Sequence, residues 1–443
     1  MSAPVPLPLE TPDTTIAAAG GALVRRTVLP TGLRVLSEHV PGASSVTVGF
    51  WVPVGSRDEQ PVTFGSTHFL EHLLFKGTQR RTAFDIAVAF DAVGGEHNAL
   101  TAKEHTCYYA KVRDRDLPMA VEVIADMVTS SLLDEDEFES ERGVILEELA
   151  MADDDPGDVA GELLARLVYG EHELGRPIGG TKETIRAVSR DDVAAHYREH
   201  YRARDLVVTV AGAVDHDELV AAVQRALAEC GWDDAPSAPR ARRTTDAADI
   251  SGGALEVIER PLEQVNLMLG MPGLLASDRR RTHMSVMNTV LGAGMSSRLF
   301  QEVRERRGLA YSVYSFSSLY SDAGSFGMYA GCTPAKAGEV ARIMLGELDR
   351  LASDGVTDEE LVRAKGQIAG ASALALEDSD ARMSRLGRAE LTMGEFSDLD
   401  TALAAVERVT ADEVRAIAAE LAGGRRSIAA VGPVRAEAFA GLV

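Results

Sequence analysis

Two histidines four positions apart, His68 and His72, lie with Glu71 in the otherwise apolar segment 66–75. On a helix, residues i and i+4 lie one above the other, so both imidazoles can reach one tetrahedral zinc ion. Glu71 projects beside them and could take a proton from zinc-bound water, as zinc-dependent hydrolysis requires. The alternative is a pair of helix histidines satisfied by hydrogen bonds in the core or with solvent, but burying these polar groups without a ligand is costly. The segment therefore predicts a hydrolytic zinc site.

A catalytic zinc ion takes three protein ligands and one water molecule, so a further ligand must come from elsewhere in the chain. The segment 134–152 has the apolar period of a helix and carries Glu141 and Glu148, which are seven residues apart and share a face. Glu147 points about 100° away from Glu148. We expect Glu148 to be the ligand and Glu141 to hold a ligating imidazole or assist proton transfer. The alternative is that these glutamates only form an acidic helix face exposed to solvent. If a glutamate of this helix is a ligand, Glu147 is the alternative to Glu148.

The order of these residues, H-x-x-E-H, resembles the motif of the pitrilysin-type zinc metallopeptidases, or inverzincins. Within this family, the chain resembles the bacterial proteases that are similar to the mitochondrial processing peptidase. The resemblance extends from about Leu29 to Val434. In that family a distal glutamate follows in a pattern resembling E-R-x-V-x-x-x-E. Glu141 to Glu148 matches it, and Glu148 lies 148 − 72 = 76 residues after the second histidine. Further matching segments are 55–59 (GSRDE), 75–78 (FKGT) and 94–99 (GGEHNA).

The resemblance also implies residues that bind the substrate. In the family, the strand that begins at Asn98 forms a sheet edge beside the metal, and Asn98 and Ala99 hold the substrate backbone. An extended peptide adds to such an edge through backbone hydrogen bonds. Taken alone, Asn98 is equally well explained as a turn residue. The segment 304–311 resembles the family's R-x-x-x-x-x-x-Y element, which implies that Arg304 grips substrate carbonyls and that Tyr311 donates a hydrogen bond to the tetrahedral oxyanion.

The elements that carry these residues follow from the period of the apolar side chains. Alternating apolar residues predict strands at 33–38, 45–54 and 106–112. Periods of three and four residues predict helices at 82–93, 117–131 and 134–152. The first of these helices starts with Thr82 and Asp85 in capping-box spacing and ends at Gly94. The fold class is therefore α+β.

The chain resembles itself at a separation of about 220 residues, the signature of an internal repeat. The segment 188–193 resembles 409–414 (409 − 188 = 221), and Tyr109 corresponds to Tyr329 (329 − 109 = 220). We expect two homologous domains, each an antiparallel-rich sheet flanked by helices, in a duplicated metallopeptidase fold. In the second copy, the positions that correspond to the metal site hold residues that cannot replace it, namely Asn288, Leu291, Gly292 and Ile368.

The expected domain boundaries follow from this duplication. Residues 1–20 are rich in Pro, Ala and Thr and contain no Lys or Arg, which favours a disordered tail. Residues 21–230 are expected to form an N-terminal zinc-binding catalytic domain. Residues 231–253 have the composition of an exposed linker. Residues 254–443 are expected to form an inactive C-terminal copy that contributes Arg304 and Tyr311 to the site.

The composition limits the function classes. The 443 residues include 45 Lys and Arg against 68 Asp and Glu, a net charge of −23, which argues against nucleic-acid binding and favours basic peptides as substrates. No apolar run reaches the ~20 residues of a spanning helix. The first twenty residues lack the positive charge of a leader, and three cysteines fit a reducing compartment. We expect a cytoplasmic protein that binds neither membranes nor nucleic acids.

Together these features predict a zinc-dependent endopeptidase with one Zn²⁺ per chain, which hydrolyses unfolded peptides or flexible protein segments inside a closed chamber. Many relatives divide the zinc motif and the Arg/Tyr element between two subunits. Because this chain retains both, we expect a homodimer. Two alternatives are a catalytically quiet scaffold or binding subunit of a processing complex, and a zinc hydrolase that acts on a non-peptide substrate.

Overall fold

The computed structural model describes residues 3–232, 236–250 and 252–443. Within these residues the strands are β1 Val5–Pro6, β2 Asp13–Ala17, β3 Leu23–Val28, β4 Arg34–His39, β5 Ser45–Val52, β6 Glu96–Thr101, β7 Thr106–Arg113, β8 Val207–Gly212, β9 Leu255–Glu259, β10 Val265–Pro272, β11 Ala310–Leu319, β12 Gly324–Cys332, β13 Glu395–Phe396 and β14 Ser427–Gly432. The α-helices are α1 Ser66–Leu74, α2 Ala83–Asp91, α3 Leu117–Ser130, α4 Glu135–Asp154, α5 Pro156–Tyr169, α6 Lys182–Ala187, α7 Arg190–His200, α8 His216–Glu229, α9 Arg281–Gly292, α10 Ala337–Asp354, α11 Asp358–Ala375, α12 Ser379–Arg388, α13 Leu399–Arg408 and α14 Ala411–Ala422.

One sheet has seven strands in the order β2-β3-β4-β8-β5-β7-β6. Only β4 and β8 run parallel, and the other neighbouring pairs are antiparallel. β6 lies at one edge and pairs with β7, so that Asn98 lies opposite Tyr109 and Thr101 opposite Thr106. The strands predicted at 33–38, 45–54 and 106–112 are confirmed as β4, β5 and β7.

A second sheet has five strands in the order β11-β12-β10-β14-β9. Here β14 and β9 run parallel, and the other pairs are antiparallel. Its order repeats that of β6-β7-β5-β8-β4 in the first sheet, and Tyr329 on β12 occupies the position that Tyr109 has on β7. The predicted α+β class and the duplication are therefore confirmed.

The helix termini explain why several elements begin where they do. Thr82 and Asp85 form the expected capping box at the start of α2, and Gly94, with φ of 63°, follows the end of this helix. The same device recurs in the repeat: Ser189 caps α7 and Thr410 caps α14, each accepting a hydrogen bond from the third residue of its helix. The similarity between 188–193 and 409–414 thus marks a shared helix start.

The chain forms two compact units, and the residue ranges that belong to each unit differ from the expected domain boundaries. The first contains 1–149, 177–242 and 373–401, and the second contains 150–176, 243–372 and 402–443. The main division falls between Arg242 and Arg243, inside the expected linker. However, each unit includes a segment from the other half of the sequence. Periodicity shows that a segment is helical, but it does not show which sheet the helix covers.

The expectation of a disordered tail at 1–20 is wrong for the described part of this segment. β1 pairs with β13, β2 pairs with β3, and Leu7 is 1% exposed. Edge pairing depends on backbone hydrogen bonds, so a segment rich in Pro and Thr can still add to a sheet edge. Met1 and Ser2 lie outside the described residues.

The segment expected to be an exposed linker, 231–253, has no helix or strand in its described part, and residues 233–235 and 251 lie outside the description. It is nevertheless anchored. The backbone N–H groups of Ser237 and Arg240 donate to Pro30 and Arg204, respectively. The Arg242 side chain contacts the buried carboxylate of Glu390 at 3.1 Å. Its first part therefore packs on the first unit instead of being exposed throughout.

Both faces of the seven-stranded sheet are covered. One face packs on α1, α3 and α8 in a core that includes Phe50 and Tyr108 and a stack of Phe69 on Phe138, whose ring centroids are 4.3 Å apart. The opposite face, which includes Trp51, is covered by α12. Helix α12 belongs to the segment 373–401, so this segment completes the core of the first unit.

Buried ion pairs join the same segment to the sheet. Glu38 on β4 is fully buried and contacts Arg385 at 2.9 Å. Glu390 is also fully buried and accepts a hydrogen bond from Arg26 at 2.9 Å. A buried carboxylate requires such a partner, because an uncompensated charge in the core is strongly destabilising.

The five-stranded sheet has its own core in the second unit. α10 and α14 pack on one face, where Met328, Val340 and Leu348 are buried. α5 packs on the other face against β10 and β14. In the part of the chain that the structure describes, no helix has both the length and the apolar character needed to cross a membrane.

Candidate metal centre

Helix α1 presents two histidines and a glutamate on one side. Phe69, Leu70, Leu73 and Leu74 are buried in the core, as the helical period requires. The remaining side carries His68, Glu71 and His72, which are partly exposed. The motif therefore lies on a helix, as the sequence predicts, and its polar side chains point away from the core.

Helix α4 brings a carboxylate to the two imidazoles. Glu148 Oε2 lies 3.8 Å from His68 Nε2 and 3.5 Å from His72 Nε2. One ligand atom from each residue lies within 4.8 Å of the others. Within the described residues this is the only group of three or more His, Cys, Asp or Glu side chains gathered in this way, and it includes Glu148 and not Glu147.

The three side chains fit a zinc ion by their chemistry and spacing. Two imidazole nitrogens and a carboxylate oxygen are ligands that catalytic zinc sites use, with bond lengths of about 2.0–2.2 Å. Tetrahedral angles at these lengths place ligand atoms roughly 3.3 Å apart. The two distances to Glu148 Oε2 are slightly longer, and no two of the three ligand atoms are more than 4.8 Å apart, so the side chains must move closer together to bind one ion.

Burial keeps His68 in the form that binds metals. Its pKa is lowered from 6.5 to about 4, mainly by burial and then by the proximity of His72. A neutral imidazole has a lone pair for a metal, whereas a protonated one has none. At neutral pH no proton therefore competes for His68.

Glu141 holds the second histidine. Its Oε2 lies 2.9 Å from His72 Nδ1, which leaves Nε2 of the same ring directed at Glu148. A carboxylate behind a ligating imidazole fixes the tautomer and the ring orientation. Glu141 is only 3% exposed, and its other oxygen is paired with Lys76. Burial raises the pKa of Glu141, but the hydrogen bonds from Lys76 and His72 outweigh this effect, and the net shift is downward.

Glu71 lies beside the histidines but contacts a different strand. The hydroxyl of Thr101, the last residue of β6, donates a hydrogen bond to Glu71 Oε2. The pKa of Glu71 is raised because burial disfavours the charged form, although Thr101 and His72 partly offset this. A carboxylate whose pKa is moved toward neutrality is a better proton acceptor and donor at neutral pH.

The start of α1 is held by a buried carboxylate. Gly65 precedes the helix with φ of 95° and has no side chain with which to cap it. Glu59, which is 4% exposed, instead accepts hydrogen bonds from the backbone N–H groups of Gly65 at 2.8 Å and Thr67 at 2.6 Å. A carboxylate at this end satisfies free N–H groups and interacts favourably with the helix dipole.

The predicted substrate strand is present as β6 at the sheet edge. Asn98 is exposed and Ala99 is half-buried on it, so Asn98 lies in a strand and not in a turn. His97 stacks on Phe90 with ring centroids 4.3 Å apart, which accounts for this histidine as a packing residue. The structure thus places Asn98 and Ala99 on an edge strand three and two residues before Thr101.

The predicted pair Arg304 and Tyr311 lies in the second unit, and its members contact each other. Arg304 is in the π-helical turn Phe300–Glu305, and its Nη1 donates to the Tyr311 carbonyl oxygen at 2.9 Å. Its guanidinium lies over the Tyr311 ring at 4.4 Å and the Phe300 ring at 4.7 Å. Tyr311 is 77% exposed, so its ring and hydroxyl are accessible.

In the second copy, the positions that correspond to His68 and His72 are packed against Ser315. Asn288 on α9, which corresponds to His68, accepts a hydrogen bond from Ser315 at 2.6 Å. A Cβ atom at Gly292, which corresponds to His72, would collide with Ser315. The second copy therefore has neither the ligands nor the space for them.

Three residues at the first site were not identified from the sequence as site residues: Lys76, Thr101 and Glu59. Lys76 and Glu59 lie in the segments 75–78 and 55–59 that resemble the family, so the resemblance was a usable signal for both. Thr101 had no such signal, because a hydroxyl on another element reaches α1 only through the tertiary fold.

Comparison with known proteins agrees with this geometry. The model of the insulinase family (peptidase family M16) matches residues 34–182, and that of the peptidase M16 inactive domain matches residues 187–368. An uncharacterized zinc protease of Streptomyces coelicolor is 52% identical over 94% of this chain and 91% of its own length. One of Bacillus subtilis is 36% identical over 93% of this chain and 98% of its own length.

Two solved structures share the fold. A peptidase M16 inactive domain from Pseudomonas fluorescens has a TM-score of 0.85 over 93% of this chain and 98% of its own. A protease from Helicobacter pylori has a TM-score of 0.83 over 97% of this chain and 100% of its own. Each is 21% identical, so they support the fold alone. The high identity and coverage of the relatives carry the further conclusion: this chain belongs to the M16, or pitrilysin-type, family of zinc proteases.

Proposed function

We propose that this protein is a zinc-dependent endopeptidase that hydrolyses unfolded peptides or flexible protein segments. The observation that carries the proposal is the convergence of His68, His72 and Glu148, with Glu71 beside them on the same helix as the histidines. Two imidazoles and one carboxylate suit a catalytic zinc ion, with one ion per chain.

The roles of the residues follow from their surroundings. Zinc, when bound, supplies Lewis acidity that polarises the scissile carbonyl and makes water more acidic. Glu71 accepts a proton from the attacking water and returns it to the leaving amine, because it is a partly buried carboxylate with a raised pKa. Glu141 keeps His72 oriented, with Nδ1 toward itself and Nε2 toward Glu148.

The edge strand β6 supports a peptide as the substrate. An extended chain can pair with Asn98 and Ala99 through its backbone, largely independent of its side chains. Folded domains rarely offer a free extended strand, so this mode favours unfolded segments. A non-peptide substrate would make no use of a free strand edge.

Other parts of the proposal depend on the resemblance or on composition. Substrate binding by Arg304 and oxyanion stabilisation by Tyr311 stay predictions, as do the homodimer and the enclosed chamber. A cytoplasmic site of action is supported by three free cysteines, of which Cys107 and Cys332 are buried.

The second candidate is a catalytically quiet scaffold or binding subunit. One solved structure of similar fold is described as an inactive domain, which motivates this alternative. Against it, this chain retains all three ligand side chains in one place and a carboxylate suited to proton transfer. A scaffold needs neither Glu71 nor Glu148.

A comparison of the wild type with Glu71→Gln tests the proposal. We expect both proteins to bind one zinc per chain, since Glu71 is not a ligand. We expect the variant to lose about 10²- to 10⁴-fold in cleavage of a quenched peptide library, because the proton acceptor is gone. The measurements are zinc by mass spectrometry and initial rates by fluorescence.

Glu183→Gln is the control, because Glu183 is an exposed glutamate on α6 in the same unit. It should cleave like the wild type. A wild type without zinc, or a Glu71→Gln variant that cleaves equally well, would contradict the proposal and favour the scaffold.

A further inference from the structure

Thr101 connects the predicted proton acceptor to the predicted substrate strand. Its hydroxyl donates to Oε2 of Glu71, and both side chains are partly buried. Side chains alternate along a strand, so Thr101 and Ala99 point to the same face of β6, which is the face toward α1. The two residues are separated by one strand repeat of about 6.7 Å. The strand that offers its edge to a peptide therefore also contacts Glu71.

The two elements that meet in this contact are held by one short segment, 55–59. The backbone N–H groups of Ser56 and Arg57 donate to the carbonyls of Ala102 and Lys103, each at 3.1 Å, directly after β6. A Cβ atom at Gly55 would collide with Ala102 and Lys103, so the approach requires glycine here.

The same segment reaches the helix. Glu59 accepts hydrogen bonds from Gly65 and Thr67 at the start of α1. Arg57 pairs with Glu104 at 2.7 Å in the turn after β6. Residues 55–59 thus fix the end of β6 and the start of α1 at once. Because both backbones are anchored, the separation between Thr101 and Glu71 is set by the fold.

The contact restricts the freedom of Glu71. A glutamate has several side-chain torsions and loses entropy when it is ordered, whereas threonine is stiff at χ1. A hydrogen bond from a stiff residue on an anchored strand therefore selects a small set of Glu71 rotamers. The hydroxyl is bonded to Oε2, so this hydrogen bond does not engage the second oxygen, Oε1.

We propose that Thr101 is a positioning residue, which orients the Glu71 carboxylate from the strand that binds the substrate backbone. This inference rests on the proposed function and adds a residue to it. The peptide and the proton acceptor are aligned by the same strand, so their relative position does not depend on a separate loop.

The kinetic test compares Thr101→Val, which keeps the shape and removes the hydroxyl, with Thr101→Ser, which keeps the hydroxyl. We expect Thr101→Val to lower kcat by roughly 10- to 100-fold, a part of the contribution of a general base. KM and zinc affinity should change less than about twofold, because neither the strand edge nor a ligand is altered. Thr101→Ser should recover most of kcat.

Thr15→Val is the matched control. Thr15 is exposed on β2, the strand at the opposite edge of the same sheet. It should keep kcat and KM. An unchanged kcat in Thr101→Val, or a loss that Thr101→Ser does not recover, overturns the inference while the proposed peptidase activity stands.

A second readout needs neither zinc nor substrate. Urea unfolding in the presence of a chelator is measured for Thr101→Val, Glu71→Ala and the double variant. If the hydroxyl contacts Glu71, the shift in midpoint of the double variant is smaller than the sum of the two single shifts. Additive shifts overturn the inference. A wild type that binds zinc but cleaves no peptide overturns both the proposed function and the positioning role, whatever the coupling.

Discussion

Three glutamates surround the two histidines, and the structure gives each a different environment. Glu148 is 45% exposed at its side chain and directs Oε2 at both imidazoles. Glu141 is buried and paired with Lys76 and His72. Glu71 is partly buried and bonded to Thr101. In the proposed function, these three environments correspond to a ligand, an orienting group and a proton acceptor, respectively.

Zinc affinity should separate these roles. We expect Glu148→Gln to lose most zinc binding, because a ligand is removed. Glu141→Gln should bind zinc about 10- to 100-fold more weakly, because His72 loses its orienting carboxylate. The measurement is competition with a chromophoric chelator at pH 7.5.

Glu147→Gln is the control for both variants, since Glu147 is exposed on the same helix and is not gathered with the histidines. Its affinity should equal that of the wild type. If Glu147→Gln loses zinc and Glu148→Gln retains it, the assignment of the ligand is wrong.

At the scale of elements, the site depends on how α1 is held. The helix has only nine residues, and its preceding Gly65 cannot cap it. Glu59 performs this function from outside the helix, and its pKa is raised from 4.5 to about 7, mainly because it is buried, although the hydrogen bonds from Thr67 and Gly65 oppose the shift. The start of α1 is therefore held by a group that titrates near neutrality.

The raised pKa has a consequence for stability. Between about pH 4.5 and 7 the folded protein binds a proton at Glu59 that the unfolded chain has released. The stability that this proton gives the folded state is therefore fully present at low pH and is lost as the pH rises through 7. We expect Glu59→Gln, which does not titrate, to lack this part of the pH dependence. The free energy of unfolding of the wild type relative to the variant should fall by at most about 3 kcal/mol from pH 4.5 to 8.

Urea unfolding of the metal-free proteins at several pH values measures this difference. Glu183→Gln should follow the wild type at every pH. A difference between wild type and Glu59→Gln that is constant, or that grows with pH, would contradict the assigned shift.

At the scale of the whole molecule, each unit is completed by a segment from the other half of the sequence. The segment 373–401 supplies α12, which covers Trp51 and its neighbours, and it supplies the partners of Glu38 and Arg26. Residues 1–242 by themselves therefore lack part of the core and leave buried charges without partners.

A truncated chain of residues 1–242 tests this dependence. We expect it to show no cooperative unfolding transition and to bind 8-anilinonaphthalene-1-sulfonate, because one sheet face is uncovered. The full chain should unfold cooperatively under the same conditions. A fragment that unfolds cooperatively and binds zinc as tightly as the full chain would show that 373–401 is dispensable.

The net charge of −23 bears on the substrate. We expect Lys/Arg-rich peptides to be cleaved faster than Asp/Glu-rich peptides of equal length at low salt, with the difference decreasing at high salt, since attraction between exposed charges is screened. The measurement is kcat/KM for both peptide sets at two ionic strengths. Equal rates at low salt would contradict a role of the charge in substrate choice.

The sequence by itself determined the local parts of this protein. Helical spacing predicted that His68, Glu71 and His72 share one side of α1, and apolar periods predicted β4, β5, β7 and the main helices. The duplication was also visible, because segments about 220 residues apart are similar, including the helix starts at 188–193 and 409–414. These features depend on residues near one another in the chain or on similarity between two segments.

Only the tertiary structure decided which distant groups meet. It placed Glu148, and not Glu147, beside the histidines, and it brought Thr101 and Glu59 to α1. It also paired β1 and β2 with other strands and assigned 373–401 to the first unit. The physical reason is that edge pairing, burial of a helix face and the compensation of a buried charge depend on the partner across space, and a period along the chain carries no information about that partner.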